Sequence, residues 1–272
     1  MRKYCISIII SILLMIFGIW AFQHLQIKLL CSNIESGNTE KAIEIISNTS
    51  NVNRFSFPLS LRFILNVADA DITTPLVVAS KTCNNEVVEA LLENGANPNK
   101  YLKGGFTPLE AALTESNIDR FKTVELLIEY GVDVNLHGSL QSPLFLELSR
   151  LMYLNDDNFE QQKICREIVL LLLENGAKTV NDNGDTMIHC LAYANEVELL
   201  KKFEPFYNEF LNSQNSYGET PIMWAVKGDS LESVKYLLTI DCDIQAKDVN
   251  GMTALDYAIK NGNKEIIDVI TN

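Results

Sequence analysis

The sequence predicts an all-α solenoid of stacked helix-turn-helix units with short extended loops, preceded by one N-terminal transmembrane helix. Three observations predict this fold class. A short phrase that begins with Thr or Ser returns at intervals near 33 residues, a second phrase keeps step with it, and an uncharged apolar run opens the chain. Such periodicity is typical of repeat architectures, in which each unit buries its apolar face against the next.

The apolar run covers residues 5–22, contains no charge and follows Arg2 and Lys3 directly. As a helix these residues would extend about 27 Å, close to the ~30 Å hydrocarbon core of a bilayer. The sequence therefore predicts a signal-anchor helix over 5–24. Basic residues before the run favour a cytoplasmic segment 1–4, which places the rest of the chain outside the cytoplasm.

A cleavable signal peptide is the alternative interpretation of this run. Signal peptides usually contain an apolar stretch of about 7 to 15 residues followed by a small-x-small cleavage site. The run is longer than that, and no clear site of this kind occurs before Asn33. These features favour an uncleaved anchor.

The first repeated phrase is built to start a helix. Its Thr or Ser stands at positions 74, 107, 142, 186, 220 and 253, and the spacings are 33, 35, 44, 34 and 33 residues. A Thr or Ser side chain accepts a backbone N–H as an N-cap, and a following Pro fits the first helical turn without losing a bond. Four of the seven prolines follow this Thr or Ser: Pro75, Pro108, Pro143 and Pro221.

The second phrase predicts a second helix and its end. In the repeat that contains EALLENGANPN, the residues Val87, Val88, Leu91 and Leu92 fall on one helical stripe. Glycines follow the helix where a left-handed residue would stop it: Gly95, Gly131 and Gly176. Asn-rich segments then suit turns. Each unit is therefore predicted as helix, turn, helix and extended loop.

These two linked phrases, TPL and the ENGA-type phrase in register with it, resemble ankyrin repeats. The resemblance covers about 30–272 and implies an ankyrin-repeat solenoid of about seven units, caps included. It also implies a non-catalytic scaffold that binds a protein partner. His189 stands where the ankyrin phrase TPLH has its His, which implies a structural hydrogen bond.

Two insertions interrupt the period. About 14 extra residues after Asn53 form an alternating apolar row that either covers the first repeat or anchors a partner. Its candidate contact residues are Phe55, Phe57, Leu59 and Leu61. The 44-residue spacing after Ser142 places a second insertion between two helices. Longer helices with a solvated turn are one interpretation, and an acidic partner site is the other.

The resemblance implies that loops and first helices bind partners. Eight residues map to loop tips: Lys103, Phe106, Asp182, Asn183, Ser216, Tyr217, Val249 and Asn250. Trp224 and Tyr257 occupy equivalent first-helix positions, where packing between units is the alternative to partner contact. Trp224 is therefore a further candidate.

Composition excludes other function classes. Lys and Arg number 22 against 35 Asp and Glu, a formal charge of −13, which argues against nucleic-acid partners because these depend on phosphate neutralisation. Six scattered Cys and three His form no disulfide framework, zinc site or catalytic motif. We expect no catalytic residues, no cofactor and no metal.

The predicted function is that of an immunity protein in the bacterial inner membrane, with its repeats in the periplasm. It would bind and neutralise a toxin, a secreted phospholipase effector being one such partner. This rests on architecture alone. Two alternatives stay open: an envelope organiser or stress-protection protein that binds an endogenous partner, and a eukaryotic or host-directed membrane protein with cytosolic repeats.

Overall fold

The structure is a computed structural model that describes residues 2–53, 73–102, 104–115, 119–138, 140–154, 156–204 and 210–272. The chain divides into two compact units, Met1–Gln141 and Ser142–Asn272. Within the described residues the regular structure is helical, and β structure is limited to isolated bridges such as that between Val180 and Thr186.

Each unit is a stack of helix pairs, in which an inner helix is followed by an outer one. Unit 1 contains α1 (Arg2–Glu35), α2 (Thr39–Ser47), α3 (Pro75–Thr82), α4 (Asn85–Glu93), α5 (Pro108–Thr114) and α6 (Arg120–Glu129). Unit 2 contains α7 (Pro143–Tyr153), α8 (Phe159–Glu174), α9 (Met187–Tyr193), α10 (Val197–Phe203), α11 (Pro221–Lys227), α12 (Leu231–Thr239), α13 (Ala254–Asn261) and α14 (Lys264–Thr271). Inner helices pack on inner helices within each unit. The all-α solenoid prediction is confirmed.

The inner helices begin where the first phrase predicts. Their N-caps are Thr74, Thr107, Ser142, Thr186, Thr220 and Thr253. At three of them the hydroxyl accepts the N–H three residues later, at 3.0 to 3.3 Å. The predicted side-chain cap is wrong at Ser142 and Thr220, which accept no such bond. At these two starts the following Pro alone presets the helical φ.

The outer helices end at the predicted glycines. Gly95, Gly131 and Gly176 have φ of 79°, 81° and 83°, in the left-handed region where a side chain is strained. At the end of α12 the equivalent place is taken by Asp241, with φ 57°. The predicted stripe on α4 is also confirmed, because Val87, Val88, Leu91 and Leu92 are all buried.

Helix α1 joins the apolar run to the first repeat. Ile27, Leu30, Cys31 and Ile34 are buried, at the three- and four-residue spacing of one helical face. This face packs on α2 and α3. The end of α1 is thus the inner helix of the first pair, and the apolar run leads into it without a break.

The second insertion lengthens a helix pair. Helix α7 has 11 residues and α8 has 16, whereas α9 and α11 have 7 each. A short 3-10 helix, Asp156–Asn158, leads into α8. The structure favours the interpretation of longer helices, and it leaves Tyr153 and Phe159 exposed at their tips.

Candidate protein-binding surface

Three loops of unit 2 contain the same type of turn. Asn181, Asn215 and Asp248 each accept, through Oδ1, the backbone N–H groups two and four residues later, at 2.8 to 3.0 Å. Asn and Asp side chains stabilise tight turns in this way because they replace a backbone acceptor. The same chemistry therefore fixes all three loops.

Neighbouring loops are bonded to each other. The Ser216 N–H donates to the Asn183 carbonyl at 2.8 Å, and the Val249 N–H donates to the Tyr217 carbonyl at 3.0 Å. Gly218 has φ 71°, and a Cβ there would lie 3.0 Å from the Val249 nitrogen. Only glycine combines this conformation with so close an approach. The loops consequently form one rigid ribbon.

The predicted loop-tip residues of unit 2 all lie on this ribbon and are exposed: Asp182, Asn183, Ser216, Tyr217, Val249 and Asn250. Tyr217 and Val249 are 61% and 68% exposed, so they offer the largest apolar contacts. The Ser216 hydroxyl donates to the Asn183 carbonyl at 2.6 Å, which makes Ser216 a loop-fixing residue.

Trp224 is half-buried on α11 and fixed on several sides. Its indole N–H donates to Glu219 Oε2 at 2.8 Å. The rings of His189 and Tyr193 meet it edge-on, with centroids 5.5 Å and 6.1 Å away. Trp224 therefore packs between helices while part of the residue stays accessible.

The Glu219 carboxylate accepts hydrogen bonds from the polar side chains around Trp224. Besides the indole, its carboxylate accepts from Lys227 Nζ at 2.7 Å and from the Tyr257 hydroxyl at 3.5 Å. The Tyr257 hydroxyl also donates to Asp248 Oδ2 at 2.6 Å. Burial and the bond to Asp248 both raise the pKa of Tyr257, so it stays a neutral donor.

Sequence reasoning missed two residues that extend this surface. Tyr153 and Tyr193 have ring centroids 6.5 Å apart, and Tyr193 contacts Trp224. With Tyr257 these residues form what we call the aromatic row: Tyr153, Tyr193, Trp224 and Tyr257. Tyr193 could have been found, because it lies seven residues after Thr186, two helical turns along the inner face.

Other candidates fall elsewhere. Phe106 in unit 1 is half-buried and directly precedes the N-cap Thr107. Lys103 and the apolar row candidates lie outside the described residues: Phe55, Phe57, Leu59 and Leu61.

The cysteines in the described part of the chain are mostly buried. The thiols of Cys31, Cys83, Cys165 and Cys190 are buried. Burial raises the pKa of the half-buried Cys242 to about 12, so a nucleophilic thiolate is disfavoured there. Among the described residues no cluster of His, Cys, Asp or Glu could hold a metal ion.

His189 has a structural role. Its Nδ1 accepts the Thr186 N–H at 3.1 Å, and its Nε2 lies 2.9 Å from the Glu219 carbonyl, which leaves Nε2 as the donor. Burial lowers the pKa of His189, so the neutral ring is favoured. The structural hydrogen bonds implied by the TPLH resemblance are present.

Comparison with known protein families identifies the repeat family of this chain. A family model described as ankyrin repeats matches the chain three times, over residues 35–137, 161–248 and 198–272. The chain is an ankyrin-repeat protein. Family membership confirms the prediction of a non-catalytic scaffold that binds proteins.

Ankyrin-repeat relatives occur in several organisms. An ankyrin repeat protein of fowlpox virus (strain NVSL) is 27% identical over 208 residues, which cover 71% of this chain and 35% of the relative. The chain spans less than half the length of the curated relatives it matches. The human ASB11 ankyrin repeat domain has a TM-score of 0.64 at 20% identity, covering 89% of this chain and 96% of that one.

A bacterial solved structure shares the ankyrin-repeat fold. It is a predatory endopeptidase from Bdellovibrio bacteriovorus in complex with an immunity protein. The match has a TM-score of 0.58 at 20% identity and covers 72% of this chain and 96% of that one. Likeness at this identity shows the fold alone.

Proposed function

We propose that this ankyrin-repeat protein is a membrane-anchored immunity protein, which binds a protein toxin through unit 2 and neutralises it in the bacterial periplasm. The observation that carries the proposal is the aromatic row together with the exposed loop tips Tyr217 and Val249. Interface hot spots are enriched in Trp and Tyr that are held rigidly beside polar groups.

The surface is ordered before it binds. Trp224 and Tyr257 are held by bonds to Glu219 and Asp248, and the loop ribbon is bonded from one repeat to the next. A rigid aromatic surface loses little conformational entropy on association, so more of the contact energy remains as affinity. Tyr153, 78% exposed, extends the contact area beyond the loops.

The anchor is supported by α1. Within the described residues, Leu14–Glu35 of this helix is long and apolar enough to cross a membrane, with a mean hydropathy of 1.4. Its later part, from Ile27, has one face buried in the first repeat, so the anchor is assigned to the part that precedes it. Leu14, Met15 and Phe17 are 63% to 68% exposed. Apolar side chains exposed in succession around a helix are unfavourable in water and favourable in lipid.

The immunity role is supported by the bacterial neighbour of the same fold, whose complex contains an immunity protein and an endopeptidase. The proposed toxin is therefore not restricted to secreted phospholipases, which are one candidate class. A screen should include secreted peptidases as well as phospholipases.

Co-expression tests the proposal. Toxins encoded beside the gene are exported to the periplasm of a sensitive strain that carries the full chain, the Trp224→Ala variant or the matched outer-helix variant Tyr236→Ala. We expect survival with the full chain and with Tyr236→Ala, and killing with Trp224→Ala. A reporter fused to Asn272 should be active only outside the cytoplasm. Killing by every toxin in the presence of the full chain would remove the immunity role.

A further inference from the structure

Helix α1 enters the first repeat without a linker. Phe22 is 61% exposed, whereas Ile27, five residues later, is fully buried in the stack. Five helical residues rise about 7 Å, which is also about the thickness of one phospholipid headgroup layer. If α1 spans the bilayer up to Phe22, the first repeat therefore begins at the outer limit of the headgroups.

Helix α2 returns toward the membrane. It starts after a short turn that follows Glu35, and it packs on α1. The Gln23 Nε2 donates to Ser50 Oγ, just beyond the end of α2, at 3.2 Å. Because Gln23 directly follows Phe22, the C-terminal end of α2 lies on the membrane side of the repeat.

The N-terminal ends of the outer helices are joined in register. Asn84, the N-cap of α4, donates through Nδ2 to Thr39 Oγ1 at the start of α2, at 2.8 Å. Thr123 in the first turn of α6 donates to Asn85 Oδ1 at the start of α4, at 2.7 Å. The starts of α2, α4 and α6 are therefore neighbours.

Their C-terminal ends are joined in the same way. Asn53 Nδ2, after α2, donates to the Gly95 carbonyl after α4 at 2.8 Å. Asn99 Nδ2 donates to the Gly131 carbonyl after α6 at 3.1 Å. Since both ends are matched, α2, α4 and α6 run parallel, and all three C-terminal ends face the side on which α1 leaves for the membrane.

The residues at these ends form what we call the asparagine edge, made of residues 48–53, 94–99 and 130–135. Its eighteen residues include seven Asn and one charged residue, Asp133, although 21% of the whole chain is charged, which would give about four. Tyr130 on this edge is 39% exposed. The edge itself is polar, has one charged residue and carries an exposed tyrosine, and the exposed carboxylates of Glu93 and Glu129 border it close to that tyrosine.

This composition fits a phospholipid surface. A chain with a formal charge of −13 is repelled by anionic headgroups, so an uncharged side is the one that can approach them. Amide groups can donate to and accept from headgroup oxygens, and Tyr is enriched at the membrane–water interface. A crevice of about 310 Å³ lies between Ile19 and Phe22 on one side and residues 48–51 on the other. It has apolar and polar walls, as the boundary between acyl chains and headgroups does.

We propose that unit 1 lies along the bilayer surface, with its asparagine edge among the phospholipid headgroups. The inference rests on the proposed membrane anchor and specifies what the anchor does. The anchor does not act as a flexible tether. Because α1 continues into the first repeat as one helix, it sets the orientation of the repeats against the membrane.

Depth-dependent quenching tests this orientation in the full chain. Cys5 and Cys242 are replaced by Ser, and the remaining thiols are buried. One dye is then attached at Asn48→Cys or Asn94→Cys on the edge, or at Glu40→Cys or Glu86→Cys, exposed positions about 12 Å away at the other ends of the same helices. The protein is placed in phosphatidylcholine–phosphatidylglycerol vesicles that contain headgroup-spin-labelled lipid.

We expect quenching at Asn48 and Asn94 to exceed that at Glu40 and Glu86 by at least about twofold. Equal quenching at the two ends of each helix would overturn the inference, and so would strong quenching at Asn48 with none at Asn94. Shielding of both edge dyes from a water-soluble quencher in detergent as well as in vesicles would also overturn it, because the protein itself would then cover the edge.

Alkaline washing of the vesicles tests the membrane anchor independently of the proposed orientation. Protein that is retained but shows equal quenching contradicts only the orientation. Protein that is washed off contradicts the anchor, and the orientation with it.

Discussion

Units 1 and 2 are built from the same helix pair but differ in what they expose. The inner helices α3 and α5 of unit 1 contain no aromatic residue, whereas the inner helices of unit 2 carry the aromatic row. The two units also differ at the ends of their outer helices. The asparagine edge has one charged residue in eighteen, while the equivalent segments 175–180 and 240–245 have three in twelve: Lys178, Asp241 and Asp243.

The comparison teaches how one scaffold separates two tasks. Caps, glycine stops and buried stripes are common to both units, because they fix the helix pair itself. Solvent-facing positions are free of that constraint. In our proposals, unit 1 uses them to approach the phospholipid headgroups, and unit 2 uses them to hold aromatic side chains for a protein partner.

The largest expected effect concerns a buried carboxylate of unit 1 that accepts backbone N–H groups. Glu110 is fully buried on α5, and its carboxylate accepts the N–H groups of Thr107, Gly138 and Leu140 at 2.7 to 2.9 Å. Glu110→Ala leaves three donors without this acceptor, which we expect to cost about 3 kcal/mol of unfolding free energy. Urea unfolding measures the loss, and hydrogen exchange should locate it in α5.

A matched control for Glu110 is Glu125, whose carboxylate pairs with Lys122 on the exposed face of α6 at 2.7 Å. Exposed pairs of this kind contribute little. Glu125→Ala should leave the unfolding midpoint unchanged. An equal effect of both substitutions would contradict the role given to the buried carboxylate.

A smaller effect is expected for the pH dependence of the unfolding free energy, to which His189 of unit 2 contributes. Because burial lowers the pKa of His189 below the usual ~6.5, the unfolded chain binds more protons in the window below that value. Stability should therefore be complete above about pH 6.5 and fall as the pH drops toward the lowered pKa. Urea unfolding at pH 7.5 and 5.5 checks this.

The control for this pH dependence is His189→Gln, which removes the titrating group. The variant should be less stable at pH 7.5 but lose less stability between the two pH values than the wild type does. A parallel loss in both proteins would assign the acid sensitivity to carboxylates.

The smallest effect concerns the left-handed residue after an outer helix. Unit 1 places Gly95 and Gly131 there, whereas α12 of unit 2 ends at Asp241 with φ 57°. Asp241→Gly should stabilise by about 0.5 to 1 kcal/mol, and the reverse change Gly176→Asp should destabilise by a similar amount. Thermal unfolding of both variants measures the difference, and stabilisation by Gly176→Asp would contradict the strain argument.

The features that sequence reasoning predicted are governed by local chemistry. The cap of Thr107 and the stop at Gly95 depend on residues within one helical turn, so the repeated phrases reveal them. The Val87 to Leu92 stripe likewise follows from helical spacing alone. This is why the fold class and the loop tips could be read from the chain.

The features that sequence reasoning missed depend on how the helices stack. Tyr153 and Tyr193 stand at different places in their repeats, and the extra length of α7 is needed to bring their rings together. The burial of Ile27 was missed because this residue lies between the apolar run 5–22 and the repeats predicted from residue 30, and its burial depends on contacts of α1 with α2 and α3. The parallel outer helices of unit 1 depend on contacts such as Asn53 to Gly95, 42 residues apart.

The central claim is that the aromatic row of unit 2 binds a protein toxin. The most direct test is the affinity of the chain for a toxin against which it protects, measured by calorimetry for the wild type, Trp224→Ala, Trp224→Phe and Tyr236→Ala. Hydrogen exchange of each variant establishes that unit 2 stays folded. We predict a Kd at least about 30-fold weaker for Trp224→Ala, a smaller loss for Trp224→Phe, and no more than about a threefold change for Tyr236→Ala. Unchanged affinity in folded Trp224→Ala would contradict the claim.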